Sequence, residues 1–464
     1  MIIIGDNMNE KIFRAYDIRG IYGEELNSFL AYHVGYAFGQ ELETLNQKQI
    51  VFGYDNRDSS HELATSLMKG LTDSGMEVIN VALATTPMVY YASVHYKIDP
   101  NIIVTASHSP AQYNGIKIGY SSIKSMHGEE IQRLKNQIKE NINKELSIKV
   151  GQVINRDIKP AYLEMLQTKI KMGPRKLKVV IDCGNGTPSI IAEAVFKNTG
   201  MEIIPIFCES DGSFPNHHPD PAVLENNHFL IEKVLETKAD VGFGFDGDGD
   251  RLGIVDEKGN MIYTDIFMAI IWNDLMPKLS DKKALLDVKC SKALEDEVVR
   301  LGGKPVYNRT GHSFMKKAMT EGNFLFGGEL SGHVFFRDDF YGYDDGIYAA
   351  LRLLKILSES NRSLSSYTEN IPKYHSTPEI LVKVTDSTKF QIVEKITEYS
   401  KNKGYETLTI DGVRVLFPDG WVLVRASNTG PNLTTRYEAT NETRLEEIKQ
   451  EFQTELETII KTTL

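Results

Sequence analysis

Three times in its first four fifths the chain runs from a β-branched segment through a polar loop into a helix-forming stretch: VFGYDNRDSS, VVIDCGNGTPS and LLDVKCSKAL. Three times, roughly 40 to 65 residues further on, an extended run enters a loop of small residues, in IIVTASHSP, VGFGFDGDGD and FLFGGELSGH. Short apolar runs alternating with amphipathic stretches predict βαβ architecture with mainly parallel sheets. Strands are expected at Ile50–Tyr54, Ile102–Thr105, Lys178–Asp182, Asp240–Phe245, Ala284–Val288 and Phe324–Phe326. Helical periodicity stands out at Glu129–Glu140, Phe229–Glu236, Ile347–Ser358 and Arg444–Thr462. Units of this kind also recur without common origin. As a true repeat, they imply three related α/β lobes, each offering one loop at the carboxyl end of a strand, where ligands bind.

The C-terminal stretch reads differently. VRVLFPDGWVLVRAS is two extended runs around Pro418-Asp419-Gly420, a hairpin signal, and an amphipathic helix follows. The fold class expected is α/β: three related lobes with mixed or parallel sheets, plus a smaller C-terminal α+β domain, around a central cleft. The expected division is residues 1–150, 151–256, 257–371 and 372–464, with the last linker near Ile371–Pro378.

At 464 residues the chain exceeds what one hydrophobic core supports. A net charge of −11 argues against nucleic acid and anionic membranes as nonspecific partners, while a local cationic cleft can still take an anionic substrate. The amino-terminal run lacks a basic region and an apolar core, so neither a secretory signal nor a membrane span is expected. Cys183, Cys208 and Cys290 are odd in number and far apart in sequence. That argues against a disulfide framework or a zinc site and fits a reducing cytoplasm.

The sharpest motif is Asp246-Gly-Asp248-Gly-Asp250-Arg251, set between VGFGF and LGIVD. Carboxylates at alternate positions, with glycines for a tight turn, converge on one hard divalent cation. Two rival readings use the same acids. An EF-hand loop would find Glu257 at its twelfth position, but Arg251 stands where its sixth-position glycine belongs and the flanks look like strands. A haloacid-type phosphatase needs a threonine where Asp250 stands. Arg251 points a fixed cation at the same locus, as a phosphate shared with a metal requires.

Thr105-Ala-Ser107-His108-Ser109-Pro110 follows an apolar strand, and Lys117 lies downstream. No G-x-S-x-G elbow is present, so a hydrolase triad is not indicated. Gly327-Gly-Glu329-Leu-Ser331-Gly-His333 sets a carboxylate and a hydroxyl in a glycine-rich loop, suited to sugar hydroxyls but by itself more readily an ordinary turn. Arg425-Ala-Ser427-Asn428-Thr429-Gly-Pro offers backbone N–H groups, hydroxyls and an arginine, as in a phosphate nest, with Arg436 nearby in sequence. Tyr16, Arg19, Lys289 and His312 stand in lesser motifs, AYDIRG, DVKC and TGHS, each alone more often structural than functional.

Taken together and in this order, AYDIRG, TASHSP, DGDGDR, GGELSGH and RASNTGP resemble the α-D-phosphohexomutase family, in its phosphomannomutase/phosphoglucomutase branch. The resemblance spans nearly the whole chain. It implies an intramolecular phosphotransferase (an isomerase) that interconverts hexose 1-phosphate and hexose 6-phosphate, of mannose and/or glucose. It further implies phosphoserine at Ser107, Mg²⁺ held by Asp246, Asp248, Asp250 and a phosphoserine oxygen, and a hexose 1,6-bisphosphate as intermediate and activator. Glu329 and Ser331 would bind sugar hydroxyls. Arg425, Ser427, Asn428 and Thr429 would hold the phosphate that is not reacting. Tyr16, Arg19, Lys117, Arg251, Lys289 and His312 match cleft positions, and Lys117, His108 or Arg19 would assist proton transfer, the choice staying open.

Ser109 departs from the family's usual asparagine but keeps a hydrogen-bonding side chain. The expected partner is a small phosphosugar, with no nucleic acid or membrane, and the expected state is a monomer or weak homo-oligomer. Three alternatives stand beside this reading. One is a phosphoglucosamine mutase, whose phosphate loop usually reads RxSGTEP. The others are a non-enzymatic Ca²⁺-binding protein and an inactive sugar-phosphate-binding relative.

Overall fold

β-branched runs bounded by polar turns form strands throughout residues 8–427 and 430–463, the part of the chain described by the computed structural model. The chain divides into two compact units, Met1–Thr264 with Ser331–Ser366, and Asp265–Leu330 with Tyr367–Leu464.

The first unit contains two sheets. β1 (Ile18–Ile21), β2 (Gln49–Tyr54), β3 (Glu77–Leu83), β4 (Asn101–Val104), β5 (Tyr113–Ser121), β6 (Lys124–Ser125) and β7 (Gln152–Asn155) form one, in the order β1-β5-β4-β2-β3-β7 with β6 on β5. Alternate residues Ile50 and Phe52, Ile102 and Val104, Ile116 and Ile118 point into one apolar cluster with Leu30, Val34, Phe38, Leu63, Leu67 and Leu134 of the helices Ser28–Thr44, Ser60–Asp73 and Glu129–Asn141. The other sheet comprises β8 (Lys178–Asp182), β9 (Glu202–Ile206), β10 (Val241–Phe245), β11 (Leu252–Asp256) and β12 (Met261–Ile262), ordered β12-β11-β10-β8-β9.

In the second unit, β13 (Lys283–Asp287) pairs in parallel with β14 (Lys304–Asn308) on one side and β15 (Phe326–Gly328) on the other. β16 (Val334–Phe336) and the helix Gly346–Ser358 belong to the first unit again. The C-terminal part is an antiparallel sheet of β17 (His375–Ser376), β18 (Ile380–Lys383), β19 (Glu406–Leu408), β20 (Val413–Phe417), β21 (Gly420–Ala426) and β22 (Asn432–Ala439), in the order β17-β22-β21-β20-β19 with β18 on β22. The helices Lys389–Asn402 and Glu442–Thr463 bury Ile392, Ile396, Ile448 and Phe452 against Val413, Val415, Val422 and Val424. The Pro418-Asp419-Gly420 hairpin joins β20 to β21.

The repeat is visible in strand order. β3-β2-β4, β9-β8-β10 and β14-β13-β15 are the same parallel triplet, with the sequence-first strand in the middle. TASHSP, DGDGD and GGELSGH each leave the third strand of their triplet, so each loop sits at a carboxyl edge. One strand lies two residues later than expected, at Phe326–Gly328. Its register puts Gly327 opposite Leu285, where a Cβ would stand 2.7 Å from the Leu285 Cβ. Glycine's poor strand propensity is overridden there by close strand pairing.

Candidate active site

Ser107 lies just beyond β4, buried, in the left-handed region at φ +52°. Thr105 holds that conformation: its Oγ1 accepts the Ser107 N–H at 2.9 Å. The serine Oγ donates to Asp246 Oδ2 at 2.9 Å and stands 3.3 Å from His108 Nδ1. The acid loop reaches this close because of its glycines. A Cβ on Gly247 would stand 2.5 Å from the Ser107 carbonyl oxygen, and Gly249 turns the chain at φ +79°.

Asp246, Asp248 and Asp250 are fully buried, and one oxygen of each lies within 4.8 Å of the others. Lys117 extends from β5, opposite Ile103, and places Nζ 2.6 Å from both Asp248 Oδ2 and Asp250 Oδ2. Burial would push that lysine down, but the two carboxylates outweigh it and hold the ammonium well above its ordinary value. Burial works equally against Asp248, yet Lys117, with a hydrogen bond from Thr86 at 2.6 Å, holds its carboxyl below the usual range. Asp246 is the loser of the three: burial, with Asp250 and Asp248 close by, pushes it well up.

The three acids share this buried site with Lys117 and Arg251. Among the described residues, Asp248 Oδ1 and Asp250 Oδ1 have no hydrogen-bond partner, although His333 Nδ1 stands 3.5 Å from the latter. Orphaned buried carboxylate oxygens around one point are what a hard divalent cation requires, so these residues fit a metal such as Mg²⁺.

Arg251 and Arg19 bring further positive charge near the serine loop. Arg251 Nε donates to His333 Nε2 at 3.0 Å and lies 3.7 Å from Asp246 Oδ2, and its NH1 lies 3.9 Å from Asp220 Oδ1. Burial notwithstanding, Asp220, Asp246 and Asp250 hold that guanidinium firmly charged, with Tyr16 also within electrostatic reach. Because arginine only donates, the His333 ring proton is left to Nδ1, 2.8 Å from Asp344 Oδ2. Burial and the cations Arg251 and Arg19 push His108 well below the ordinary imidazole value, so the ring beside the serine is held in its neutral form. Arg19, on β1, pairs with Asp17 at 2.6 Å and donates to Ser109 Oγ at 2.9 Å, so the serine in place of asparagine is hydrogen-bonded.

In the second unit a different set converges. Lys289, just past β13, lies 3.4 Å from Glu379 Oε1. Burial opposes it, but Glu379 and Asp287 hold its ammonium above the ordinary value, with Arg425 and Glu329 within electrostatic reach. The Glu329 carboxylate accepts the Gly311 N–H at the start of the helix His312–Glu321, which His312 opens. Arg425 Nε donates to Asp411 Oδ2 at 3.0 Å, and the same oxygen accepts the Thr310 N–H at 3.1 Å. Ser427 follows β21, its carbonyl held by Lys389 Nζ at 2.9 Å. Asn428 and Thr429 lie outside the described residues. Ser331 opens the second stretch of the first unit and is half-buried.

Arg57, Thr86, Asp220, His333 and Asp344 were not among the expected site residues. Arg57 is the most consequential: it donates to the carbonyls of Ser107, Ser109, Pro110 and Tyr113 at 2.6–3.1 Å and pairs with Asp55 at 3.2 Å. Its only signal in the sequence is its place in DNRD after β2, on the loop equivalent to those of the other two triplets. The DGDGD flanks are the antiparallel strands β10 and β11, which removes the helix-flanked EF-hand reading. Among the described residues no helix is long and apolar enough to cross a membrane.

Phosphoglucomutase/phosphomannomutase family models match the chain in four consecutive segments: alpha/beta/alpha domain I at residues 10–145, domain II at 160–259, domain III at 263–374 and the C-terminal domain at 379–455. A phosphomannomutase/phosphoglucomutase of Pseudomonas syringae is 43% identical over 450 residues, covering 97% of this chain and 96% of that one. A phosphoglucomutase of Neisseria gonorrhoeae is 40% identical over 453 residues, covering 97% and 98%. The crystal structure of a phosphoglucomutase/phosphomannomutase family protein from Burkholderia thailandensis superposes with a TM-score of 0.90 at 36% identity, covering 98% of both chains.

Proposed function

The chain belongs to the phosphoglucomutase/phosphomannomutase family, and from that membership we propose that it interconverts hexose 1-phosphate and hexose 6-phosphate, of glucose and/or mannose, through phosphorylated Ser107. The observation that carries this is the contact of Ser107 Oγ with Asp246 inside a buried carboxylate cluster bridged by Lys117. A serine hydroxyl is a poor phosphate carrier unless charge on the phosphoryl oxygens is neutralised and its proton is managed.

In this proposal phosphoserine 107 gives its phosphoryl group to a free hydroxyl of the hexose monophosphate. The P–O bond to Ser107 breaks as the bond to the sugar oxygen forms, and the hydroxyl proton passes to a nearby base. The bisphosphorylated sugar turns over and returns its other phosphate to Ser107. Asp246, Asp248 and Asp250 would hold Mg²⁺, which when bound supplies charge neutralisation at the transferring phosphoryl oxygens. Arg251 adds a second fixed cation, and Lys117 bridges Asp248 and Asp250. Neutral His108 at 3.3 Å, Lys117 and Arg19 are the candidates for moving the proton.

Arg425, Ser427, Asn428 and Thr429 would hold the non-reacting phosphate, and Glu329, Ser331, Lys289, His312 and Tyr16 the sugar. Recognition by cations and backbone N–H groups suits a phosphate on either carbon. Residues 1–150, 151–256, 257–371 and 372–464 stand as the proposed domain bounds. A hexose 1,6-bisphosphate as activator, a cytoplasmic setting and a monomeric or weakly oligomeric state belong to the same proposal. The chain's RASNTGP, where RxSGTEP would mark an amino-sugar mutase, favours glucose and mannose phosphates.

A coupled assay on glucose 1-phosphate, mannose 1-phosphate and glucosamine 1-phosphate, with Mg²⁺ and a trace of bisphosphate, tests the reading. Bisphosphate-stimulated turnover of the first two is expected, falling by orders of magnitude in Ser107→Ala while substrate binding survives. Wild-type turnover in that variant would remove Ser107 from the mechanism, and turnover of the amino sugar alone would move the enzyme to the other branch.

A further inference from the structure

β8 and β9 are parallel neighbours, with Asp182 opposite Ile206, and both strands run on into a cysteine. Cys183 follows β8 directly, and Cys208 follows β9 after Phe207. The two are 25 residues apart in sequence, yet the Cys208 thiol donates to Cys183 Sγ at an S···S separation of 2.9 Å. Cys183 is fully buried and Cys208 is partly exposed, so only Cys208 meets solvent. Cys290 belongs to the other compact unit and is buried.

We propose that Cys183 and Cys208 are a peroxide-responsive pair whose reversible disulfide is coupled to the acid loop through the turn that supports it. The Cys208 thiolate attacks a peroxide: an S–O bond forms, the O–O bond breaks, and the departing oxygen leaves as water or alcohol. Cys183, giving up its proton, then attacks the Cys208 sulfur: the S–S bond forms, the S–O bond breaks, and the hydroxyl leaves with that proton as water. With hydrogen peroxide, two thiols and one oxidant become one disulfide and two waters, and a dithiol reductant reverses the change. The order follows from access. Burial, and the hydrogen bond with Cys208, push the Cys183 thiol well up, which suits it to resolve and not to start the reaction.

The consequence lies in what Cys183 supports. Its carbonyl accepts the Gly186 N–H at 2.7 Å, the Asn185 N–H donates to the Phe207 carbonyl at 2.9 Å, and the Thr187 N–H donates to the Gly247 carbonyl at 2.8 Å. A Cβ on Gly186 would lie 3.0 Å from Gly247 Cα, so the turn and the acid loop are in direct contact. A covalent bond between the two sulfurs would tie the ends of β8 and β9 together at the turn that contacts the acid loop. This inference stands on its own, without the mutase reading.

The test uses the full-length reduced protein, treated with hydrogen peroxide, alkylated and mapped by mass spectrometry, with hydrogen exchange measured in parallel. A Cys183–Cys208 crosslinked peptide is expected, with Cys290 recovered as a free thiol and the crosslink absent in Cys208→Ser. Amide exchange at Thr187, Gly249 and Arg251 should speed up about fivefold or more on oxidation, return on reduction, and stay constant in Cys208→Ser. Over-oxidised Cys208 beside a free Cys183, or crosslinks between chains, would overturn the pair. An intramolecular crosslink with unchanged exchange would overturn its link to the acid loop.

Discussion

At the scale of single residues, the site is organised by side chains that never need to touch a substrate. Arg57 fixes the backbone of the serine loop at four carbonyls while Asp55 balances its charge. A lysine there keeps the charge but loses the planar fork that spans several acceptors. Arg57→Lys is therefore expected to cost about 2–3 kcal/mol of stability. Turnover should fall about a hundredfold, because Ser107, the proposed phosphoryl carrier, is displaced from its partners. Urea unfolding and a single-substrate kcat measurement check both, and wild-type kcat at reduced stability would make Arg57 merely structural. Nothing in the local sequence distinguishes this arginine from a surface one. Its acceptors lie around fifty residues away along the chain, and only folding brings them together.

At the scale of elements, two close fits set the geometry. The first is Gly247 against the Ser107 carbonyl, where a Cβ would stand at 2.5 Å from backbone that cannot move aside cheaply. Gly247→Ala should cost about 1–3 kcal/mol and pull Asp246 and Ser107 apart. Thermal unfolding and turnover would fall together, and an alanine variant with normal kcat would show that the contact is slack.

The second is the start of the helix Gly346–Ser358, where the Asp345 side chain caps the Tyr348 N–H at 2.9 Å and accepts the Tyr162 hydroxyl at 2.8 Å. Burial pushes this carboxyl up to about 7, against the pull of those two donors. An unfolded aspartate titrates near ~3.9, so the folded chain binds this proton more tightly. Its contribution to stability is full below about pH 4 and is lost as the pH rises through about 7, by as much as roughly 4 kcal/mol. Asp345→Asn keeps a cap that cannot ionise. Its urea midpoint should gain on wild type steadily between pH 4 and pH 8, and parallel pH profiles would contradict the assignment.

At the scale of the whole molecule, each unit is assembled from two separate stretches of chain. Arg414 donates to the Val288 and Cys290 carbonyls at 2.7 and 2.8 Å, Glu438 accepts the Lys292 N–H at 2.7 Å, and Trp421 and Leu423 bury Val288. A chain ending at Ser366 would leave those groups of residues 265–330 exposed or unsatisfied. It should keep the first unit's melting transition and lose that of the second, as read by calorimetry. Two intact transitions in the shortened chain would show that residues 265–330 fold unaided.

Local pattern alone was enough to place the central and third strands of each triplet, the C-terminal hairpin and four of the helices, because a two- or 3.6-residue period of apolar side chains survives in any context that offers a core. It was enough, too, for the DGDGD loop and its strand flanks, since alternating acids and glycines between two apolar runs mark a tight turn between strands. The triplicate strand order was half legible: the loops repeat in sequence, while the central position of each first strand appears only in the sheets. Tertiary structure alone decided that Lys117 bridges two acids, that Arg57 and not a nearer residue clamps the serine loop, that His333 faces Asp344 and Arg251, and that two distant cysteines meet. Those pairings join residues about ten to more than a hundred positions apart, and the choice among possible partners is made by strand register and burial, which no local window contains.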